Sequence, residues 1–591
     1  MRRLLGFLKP HKKLLIALVF INLLLSAMLT IAPLVTKAIV DNVIGEQQID
    51  LLLPYLGLLL LVTATRAIAT YLYSYGQNRI GQLVMTDVRL MLYRKLLALQ
   101  YAFYDKEQTG RLMSRISSDV ESTRIFLSQI MVESMSHIMT ICFATYAIFQ
   151  QDALLAALVI GPMLASGLGM FFAHRALRPH QADSHERFAM LSAQLQDNLA
   201  GIKVVKAYAQ ETQEEKKFDR TIDHVREGNL IVQDIWNKRW AIIASLGRFM
   251  QLGLIGLGGY RVMAGDMTLG TLVAVISLSM LLLGAVNALG TQLNAFSQTS
   301  TAAVRIFELL DEPVTIKSPL LEPGKTPPAV TRGEVTFEKV NFTYPTASAR
   351  ALHDVNLRVP AGTSLAIVGA TGSGKSTLIH LIGRFYDVTS GLVMVDGVDV
   401  RSYDLQELRS HIGMVAQDTL LFSASLADNI AFGRPGATQE EIEHAAKLAQ
   451  AHEFISKLPD GYSTFVGERG LGLSGGQRQR VAIARAILLD PKILILDDSM
   501  SAVDAHTEKL LQAAVKEVMR GRTTIMIAHR LSTVESADHI VVLKDGRIIE
   551  EGTHEQLMRA SGYYRDVLEM QRMSGAGAMP EAPVLRPVFG D

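Results

Sequence analysis

The residues best suited to chemistry lie in a glycine-rich loop in the C-terminal half of the chain. The sequence GATGSGKS fits the pattern G-x-x-x-x-G-K-[ST], and it follows the apolar run SLAIV. In this pattern backbone N–H groups surround phosphate oxygens, the lysine neutralises the terminal phosphates, and the hydroxyl binds Mg²⁺. A strand before the loop and a helix after it form the required context, and both are predicted here. We therefore expect a nucleotide-phosphate site formed by Gly369, Thr371, Gly372, Ser373, Gly374, Lys375, Ser376 and Thr377.

A pair of aspartates ends a second apolar run, ILIL, at Asp497 and Asp498. A short apolar run that ends in acid predicts a buried strand delivering carboxylates to the edge of a sheet. Asp497 is placed like the aspartate that helps to hold Mg²⁺ in P-loop enzymes. Asp498 is then the candidate that orients or deprotonates the attacking water.

A third motif, LSGGQ at residues 473–477, lies between the glycine-rich loop and the aspartate pair. This order resembles the nucleotide-binding domain of ATP-binding cassette (ABC) proteins, and nearly the whole chain resembles the exporter-type half-transporters. The resemblance implies ATP and Mg²⁺ as ligands. It also implies a dimer, in which the signature of each chain closes over the phosphate loop of the other. The signature residues are Ser474, Gly475, Gly476 and Gln477.

The resemblance assigns further positions one at a time. Tyr344 in NFTYP matches the aromatic residue that stacks on adenine, although a strand tyrosine can also serve packing alone. Gln417 in MVAQD matches the glutamine that senses Mg²⁺, and His529 in IMIAHR matches the switch histidine at the γ-phosphate. Asp504 in SAVD matches an aspartate at the dimer interface, and Glu468 in VGERG resembles a segment that contacts the cytoplasmic helices of the partner.

Asp498 departs from the family pattern, in which most members carry glutamate at this position. The aspartate side chain is one methylene shorter, so its carboxylate lies about 1 Å further from the water, and such a misplacement can cost roughly 10²-fold in rate. The departure resembles one chain of the asymmetric heterodimeric exporters, whose degenerate site binds ATP and hydrolyses it poorly. Because the LSGGQ motif is complete, the chain is suited to serve a competent site on a partner. The sequence thus favours a heterodimer, with a homodimer as the alternative.

The elements that must carry these motifs are two domains of different character. The chain has 591 residues, a net charge of +1 and 49% apolar residues, so its charge gives no indication of a nucleic-acid partner. Long apolar runs near the length that spans a bilayer, about 20 residues, predict six transmembrane helices. The runs are Leu14–Val35, Leu51–Thr70, Ile130–Phe149, Ala153–Ala173, Ile242–Val262 and Leu272–Leu289. Cys142 lies in such a run, and we expect it to be a small buried residue.

The connections predict the orientation in the membrane. The links around residues 76–128 and 174–240 are long and basic, and the N-terminus MRRLLGFLKPHKK is basic as well, so we expect both in the cytoplasm. Leu4, Leu5, Phe7 and Leu8 alternate with charge as in a short interfacial helix. The two long links are predicted to be helical extensions, and the chain is expected to reverse direction near Gly110–Asp119 and near Gly201–Tyr208. Turns near Ser114–Asp119 and Val204–Tyr208 are expected to convey closure of the nucleotide-binding domains to the helices.

The predicted fold is a multi-domain membrane protein: an all-α, six-helix exporter-type transmembrane domain, followed by an α/β P-loop NTPase domain. The expected boundaries are 1–311 for the transmembrane domain, 312–332 for a Pro-rich linker, 333–572 for the nucleotide-binding domain and 573–591 for a disordered tail. The predicted location is the inner or plasma membrane, as a multi-pass protein with the nucleotide-binding domain in the cytoplasm.

Three charged residues in or beside the apolar runs are candidates for a substrate cavity: Arg66, Glu133 and Arg248. Ionisable groups at membrane depth usually face a cavity or one another, and a structural ion pair or interfacial snorkelling is the alternative. The expected activity is ATP-driven export of a small amphipathic or lipid-like compound from the cytoplasm or the inner leaflet. Two alternatives remain open, a lipid flippase and a membrane protein in which ATP switches conformation without pumping.

Overall fold

The computed structural model describes residues 3–319, 327–417, 419–467, 470, 472–497, 505–527, 534–560 and 562–574, with side chains left out at 293–298, 505–509, 511 and 570–574. The contacts divide the chain into two compact units. Met1–Leu97 and Gly110–Glu312 form the first, here called the helical unit. Ala98–Thr109 and Pro313–Asp591 form the second, here called the nucleotide unit.

In the described part of the chain, six long helical segments build the helical unit, and each is long and apolar enough to cross a membrane. The prediction of six spans is confirmed, and each predicted run lies inside one segment. In chain order the segments are Leu4–Gly45, Ile49–Ala98, Thr109–Gln151, Ala153–Ala200, Glu211–Met263 and Leu269–Asp311. The short helix Ile202–Ala207 lies between the fourth and fifth segments.

Side-chain caps fix where the fourth and sixth helices begin. The Asp152 carboxylate accepts hydrogen bonds from the N–H groups of Leu154 and Leu155, and Thr268 accepts one from the N–H of Thr271. These bonds satisfy donors that have no partner inside a helix. One buried cluster of the bundle consists of aliphatic side chains of the third to sixth helices, among them Ile148, Leu155, Val159, Leu254, Val275 and Leu278.

Two expectations about the helical unit are wrong. The chain does not reverse at Gly110–Asp119, because the third helix begins at Thr109 and continues through a π-helical turn at Arg115–Asp119. The N-terminal segment Leu4–His11 is helical, as expected, with Leu4 and Leu8 buried. The Phe7 ring stacks on Phe307 of the sixth helix at 5.7 Å, and the interfacial position of this helix stays a prediction.

Cys142 is also placed differently from the expectation. It is exposed on the surface of its helix, because the period of a helix turns some residues of an apolar run away from the helical neighbours. In a membrane-spanning segment, an apolar character therefore does not distinguish a residue in the bundle interior from one on its outer face.

The nucleotide unit is α/β, as predicted, and its described residues form three sheets. Their strands are β1 Val335–Phe342, β2 Leu352–Val359, β3 Ser364–Val368, β4 Ser390–Val395, β5 Val398–Asp399, β6 Ile412–Val415, β7 Ala424–Ser425, β8 Phe465–Val466, β9 Ile493–Asp497, β10 Thr523–Ile527, β11 His539–Lys544 and β12 Arg547–Gly552. The strand orders are β2-β1-β4-β5, β12-β11-β3-β10-β9-β6 and β7-β8.

Helices alternate with these strands in the described residues of the unit. In chain order they are Tyr101–Tyr104, Lys375–Ile382, Leu405–Ser410, Leu426–Ala431, Gln439–Leu448, His452–Ser456, Gly475–Leu489, Ala505–Met519, His554–Arg559 and Tyr563–Ser574. The strands β3, β9 and β10 are almost entirely buried, as expected for continuous apolar runs in a parallel sheet covered on both faces.

Candidate nucleotide-binding site

The candidate site lies at the carboxyl edge of the parallel strands in the six-stranded sheet. Strand β10 pairs in parallel with both β3 and β9, which places Ile527 beside Ile367 and Asp497. Strand β6 pairs in parallel with β9, and Val415 lies beside Leu496. The glycine-rich loop, Asp497 and the segment that leads to Gln417 therefore all follow strands that end at one edge, which is where ligands of open α/β sheets bind.

Two glycines allow the phosphate loop to approach its neighbours. Gly374 has φ +104°, and a Cβ there would lie 2.8 Å from the carbonyl oxygen of Ala351. A Cβ on Gly369 would overlap the carbonyl oxygen of Leu543. Only glycine meets both constraints without strain, so the glycine positions of the motif are fixed by packing as well as by phosphate geometry.

The lysine of the loop is buried and held by the loop itself. The Lys375 ammonium donates to the carbonyl oxygens of Gly369 at 2.8 Å and Ala370 at 2.9 Å. The Ser373 hydroxyl is also buried, and within the described residues it has no hydrogen-bond partner. A buried ammonium and an unsatisfied hydroxyl beside a loop of backbone N–H groups fit the oxygens of a phosphate chain.

The predicted Mg²⁺ ligands have suitable chemistry and positions. Ser376 is exposed in the first turn of the helix Lys375–Ile382, Gln417 is exposed after β6, and Asp497 ends β9 half-buried. Hydroxyl, amide and carboxylate oxygens are the ligands that Mg²⁺ prefers. When bound with a nucleotide, the ion would offset phosphate charge, while Lys375 orients the terminal phosphates.

Tyr344 and Thr377 form a connected pair at the side of the loop. The Tyr344 hydroxyl and Thr377 Oγ1 are 2.9 Å apart, and the tyrosine ring contacts the edges of Phe342 and Tyr386 at 4.8 and 5.3 Å. Burial raises the pKa of Tyr344, so its hydroxyl stays protonated. These contacts support a packing role for Tyr344, and stacking of its ring on adenine remains a prediction.

The signature residues form the start of the helix Gly475–Leu489. Ser474 Oγ accepts from the N–H of Gln477 at 3.3 Å, and the Gln477 side chain accepts from the N–H of Ser474 at 2.8 Å. This is a capping box, while Gly476 is buried. Ser474 and Gly475 are exposed at the helix N-terminus, where backbone donors and the helix dipole favour an anion. Asp498, Asp504, His529 and Glu468 lie outside the described residues.

Comparison with known proteins also identifies a transmembrane region and a nucleotide-binding domain of the ABC type, over nearly the whole length of the chain. Residues 15–286 match the family described as ABC transporter transmembrane region, and residues 352–501 match the family described as ABC transporter. This chain belongs to the ABC transporter family. Two Bacillus subtilis relatives, "Uncharacterized ABC transporter ATP-binding protein YknU" and "Putative multidrug export ATP-binding/permease protein YgaD", are each 35% identical. The alignment with YknU covers 96% of this chain and 97% of YknU. The alignment with YgaD covers 97% of this chain and all of YgaD.

A solved structure extends the comparison to the fold. A bacterial Atm1-family ABC exporter with ATP bound is 29% identical, with a TM-score of 0.80 over 96% of this chain and 98% of that one. The protein is thus an ABC exporter, a multi-pass membrane protein whose ATPase domain couples ATP hydrolysis to transport.

A segment of the transporter that the sequence did not single out lies within the nucleotide unit. The residues Ala98–Thr109 connect the second and third long helices, yet they group with the nucleotide unit. The Tyr101 ring stacks on Phe385 at 4.6 Å, and the Tyr386 hydroxyl donates to the Asp105 carboxylate at 2.6 Å. Burial first, and then this hydrogen bond, raise the pKa of Tyr386. The signal in the sequence is the cluster of aromatic residues in YAFYD.

The first expected contact turn is therefore displaced by about ten residues. Ser114–Asp119 lies within the third long helix, and the Asp119 carboxylate pairs with Arg305 of the sixth helix. The second expected turn fits better. Val204 and Tyr208 are 60% and 73% exposed at the tip between the fourth and fifth helices.

The three charged membrane residues do not pair with one another in this chain. Arg66 and Arg248 are exposed on the second and fifth helices, and Glu133 is half-buried on the third. The Glu133 carboxylate accepts a hydrogen bond from Gln77 at 3.4 Å. Sequence reasoning selected Glu133 by its charge, but Gln77 and the other polar side chains around it were missed because each is ordinary in isolation.

Proposed function

We propose that this chain is one half of a dimeric exporter that moves an amphipathic or hydrophobic compound out across the cytoplasmic membrane. The observation that carries the proposal is the combination of six apolar helices and a complete phosphate loop in one chain. The multidrug-export name of the Bacillus subtilis relative YgaD supports a drug-like substrate. The basic links support a cytoplasmic position for both termini and the nucleotide unit in this proposal.

The proposal of a dimer rests on the signature helix. Ser474 and Gly475 present an exposed helix N-terminus that nothing in the described part of the chain fills with an anion. In the proposed dimer these groups bind the γ-phosphate held by Lys375 of the partner chain. Asp498 makes this chain's own site the slower one, and a heterodimer with a partner that carries glutamate gives one fast site.

Two contacts are proposed to link ATP binding to the helices. Ala98–Thr109 contacts the nucleotide unit of its own chain through Tyr101 and Asp105. The exposed apolar tip at Val204 and Tyr208 suits a contact with the partner chain. Closure of the two nucleotide units on ATP would then move the ends of four helices, and hydrolysis would release them.

The test is ATP-driven uptake into inverted vesicles that contain this chain, alone or with a neighbouring half-transporter. Accumulation of an amphipathic fluorescent dye against its gradient, abolished by Lys375→Ala in a homodimer, supports export. A nucleotide-dependent flux that only dissipates a gradient would identify a gated membrane protein instead. Movement of labelled lipid between leaflets without dye uptake would identify a flippase.

A further inference from the structure

A group of polar side chains surrounds Glu133 where the first three helices meet. Gln77, 8% exposed, donates to the Glu133 carboxylate at 3.4 Å. Asn22, 1% exposed, donates to the carbonyl oxygen of Val132 at 3.0 Å and approaches the Tyr73 hydroxyl at 3.5 Å. The amide oxygen of Asn22 is buried and has no partner within the described residues. A buried acceptor without a partner, on the helix that bonds the backbone next to Glu133, points to a missing donor or positive charge.

Close helix packing builds this group. A Cβ on Gly76 would lie 2.7 Å from Leu18, so glycine lets the first and second helices approach one turn away from Asn22 and Tyr73. Ser26 repeats the contact of Asn22 one turn further along, with its hydroxyl 3.4 Å from the carbonyl oxygen of Ser136. The polar groups are therefore held by rigid helices, as a preorganised site requires.

The depth of the group in the membrane follows from the helix rise. Asn22, Tyr73 and Glu133 lie about 27–36 Å from the outer ends of their helices at about 1.5 Å per residue. The hydrocarbon core is about 30 Å thick, so the group lies near the inner edge of the inner leaflet. A ligand there can keep an apolar body in the hydrocarbon and a polar head at the interface.

The charge of the group is unbalanced. Glu133 forms no ion pair with a lysine or arginine among the described residues, and Gln77 is neutral. Its other electrostatic neighbours are Tyr73 on the second helix and His137 one turn along its own helix. A carboxylate at this depth is costly unless a cation accompanies it. A tyrosine ring adds a second surface that attracts cations.

We propose that Glu133, Tyr73 and Asn22 form a recognition site for the cationic head of the exported compound, an ammonium or phosphonium group on a hydrophobic body. The inference rests on the export function proposed above and specifies its substrate class. Glu133 supplies the negative charge, and Gln77 orients the carboxylate. The amide oxygen of Asn22 adds a partial negative charge towards a quaternary head, and it accepts a hydrogen bond where the head carries N–H. The same chemistry fits a drug-like cation and the choline or ethanolamine head of a lipid.

The test uses the full-length transporter in proteoliposomes with the membrane potential collapsed. Tetraphenylphosphonium and tetraphenylborate have the same shape and opposite charge, and triphenylphosphine oxide is a neutral relative. We expect stimulation of ATP hydrolysis and ATP-driven accumulation with the cation in preference to the anion. Glu133→Gln raises the half-stimulating concentration of the cation about tenfold and leaves that of the neutral compound unchanged, while Glu133→Asp restores most of the preference.

His137→Lys is a second variant, because a lysine four residues after Glu133 supplies a tethered ammonium. It should weaken stimulation by the phosphonium as Glu133→Gln does. The control is Glu46→Gln, which removes a carboxylate hydrogen-bonded to Gln48 at 2.8 Å outside the group and should change nothing. Labelled phosphatidylcholine against labelled phosphatidylglycerol distinguishes a lipid head from a drug-like cation.

The outcomes separate the two proposals. If Glu133→Gln shifts the cation and the neutral compound equally, or if the borate is preferred, the cation site is wrong while export stands. If the transporter moves no probe and no lipid with ATP, the export function itself fails. If Glu133→Gln does not fold, a phosphonium response unchanged in His137→Lys overturns the site.

Discussion

The contact between Tyr386 and Asp105 offers a sharp test of how nucleotide binding reaches the helices. The Tyr386 hydroxyl donates to the Asp105 carboxylate at 2.6 Å, and its ring touches Tyr344 at 5.3 Å. Tyr344 in turn bonds Thr377 in the helix that follows the phosphate loop. Tyr386→Phe removes only the hydroxyl and keeps the ring contacts, so it isolates the hydrogen bond to the segment Ala98–Thr109.

The size of the effect follows from the geometry. A hydrogen bond to a charged group contributes about 1.5–3 kcal/mol, and exposure of Asp105 to solvent reduces this to about 1 kcal/mol. One kcal/mol is about a fivefold change in the docking equilibrium of the segment. The stacked pair Tyr101–Phe385 keeps the segment associated, so we expect export per ATP to fall by up to about fivefold rather than to vanish.

The assay measures ATP hydrolysis and export in the same proteoliposomes for Tyr386→Phe, Asp105→Ala and the double variant. Because both substitutions remove one bond, the double variant should lose no more than the worse single variant, a non-additivity of about 1 kcal/mol. Tyr403→Phe is the matched control: its buried hydroxyl donates to the Val395 carbonyl oxygen at 2.9 Å, so it should lower stability and leave export per ATP unchanged. Additive losses, or a normal ratio in Tyr386→Phe, would refute the reasoning.

Four further predictions concern the nucleotide unit. Lys375→Ala should abolish ATP turnover at this chain's site, since it removes the charge that offsets the phosphates; normal binding of a fluorescent ATP analogue would contradict the assignment. Gly374→Ala should prevent nucleotide binding by straining a position with φ +104°, which the same titration detects. Asp498→Glu should speed ATP hydrolysis, by up to roughly 10²-fold, whereas Asp498→Asn should stop hydrolysis by a homodimer but not by a heterodimer. Robust turnover by the chain purified alone, lost in Asp498→Asn, would exclude the heterodimer. Burial alone would raise the pKa of Asp396, but backbone N–H donors of residues 331–334 hold that pKa at about 2. The ionised carboxylate therefore stabilises the fold above pH 3.8, and this stabilisation is lost as the pH falls towards 2. Asp396→Asn should lower the melting temperature at pH 7 and reduce its dependence on pH between 3.8 and 2.

The sequence by itself determined the parts of this protein that depend on local pattern. Apolar length decides whether a helix can cross a bilayer, so the six spans could be read directly. The phosphate loop is also local, because one glycine-rich turn between a strand and a helix supplies its backbone donors and Lys375. The turn at Val204–Tyr208 was found because it interrupts a long helical pattern at Gly201.

Only the tertiary structure decided which distant residues meet. The sequence predicted a reversal near Gly110–Asp119, but the connection is the segment Ala98–Thr109. There Tyr101 and Asp105 find partners nearly three hundred residues away, on Phe385 and Tyr386. The polar surroundings of Glu133 likewise come from three helices, and no single helix shows them in its sequence. The physical reason is the same in both cases. These contacts depend on how the shapes of distant segments fit together, and the local sequence of one segment does not specify which other segment it will pack against.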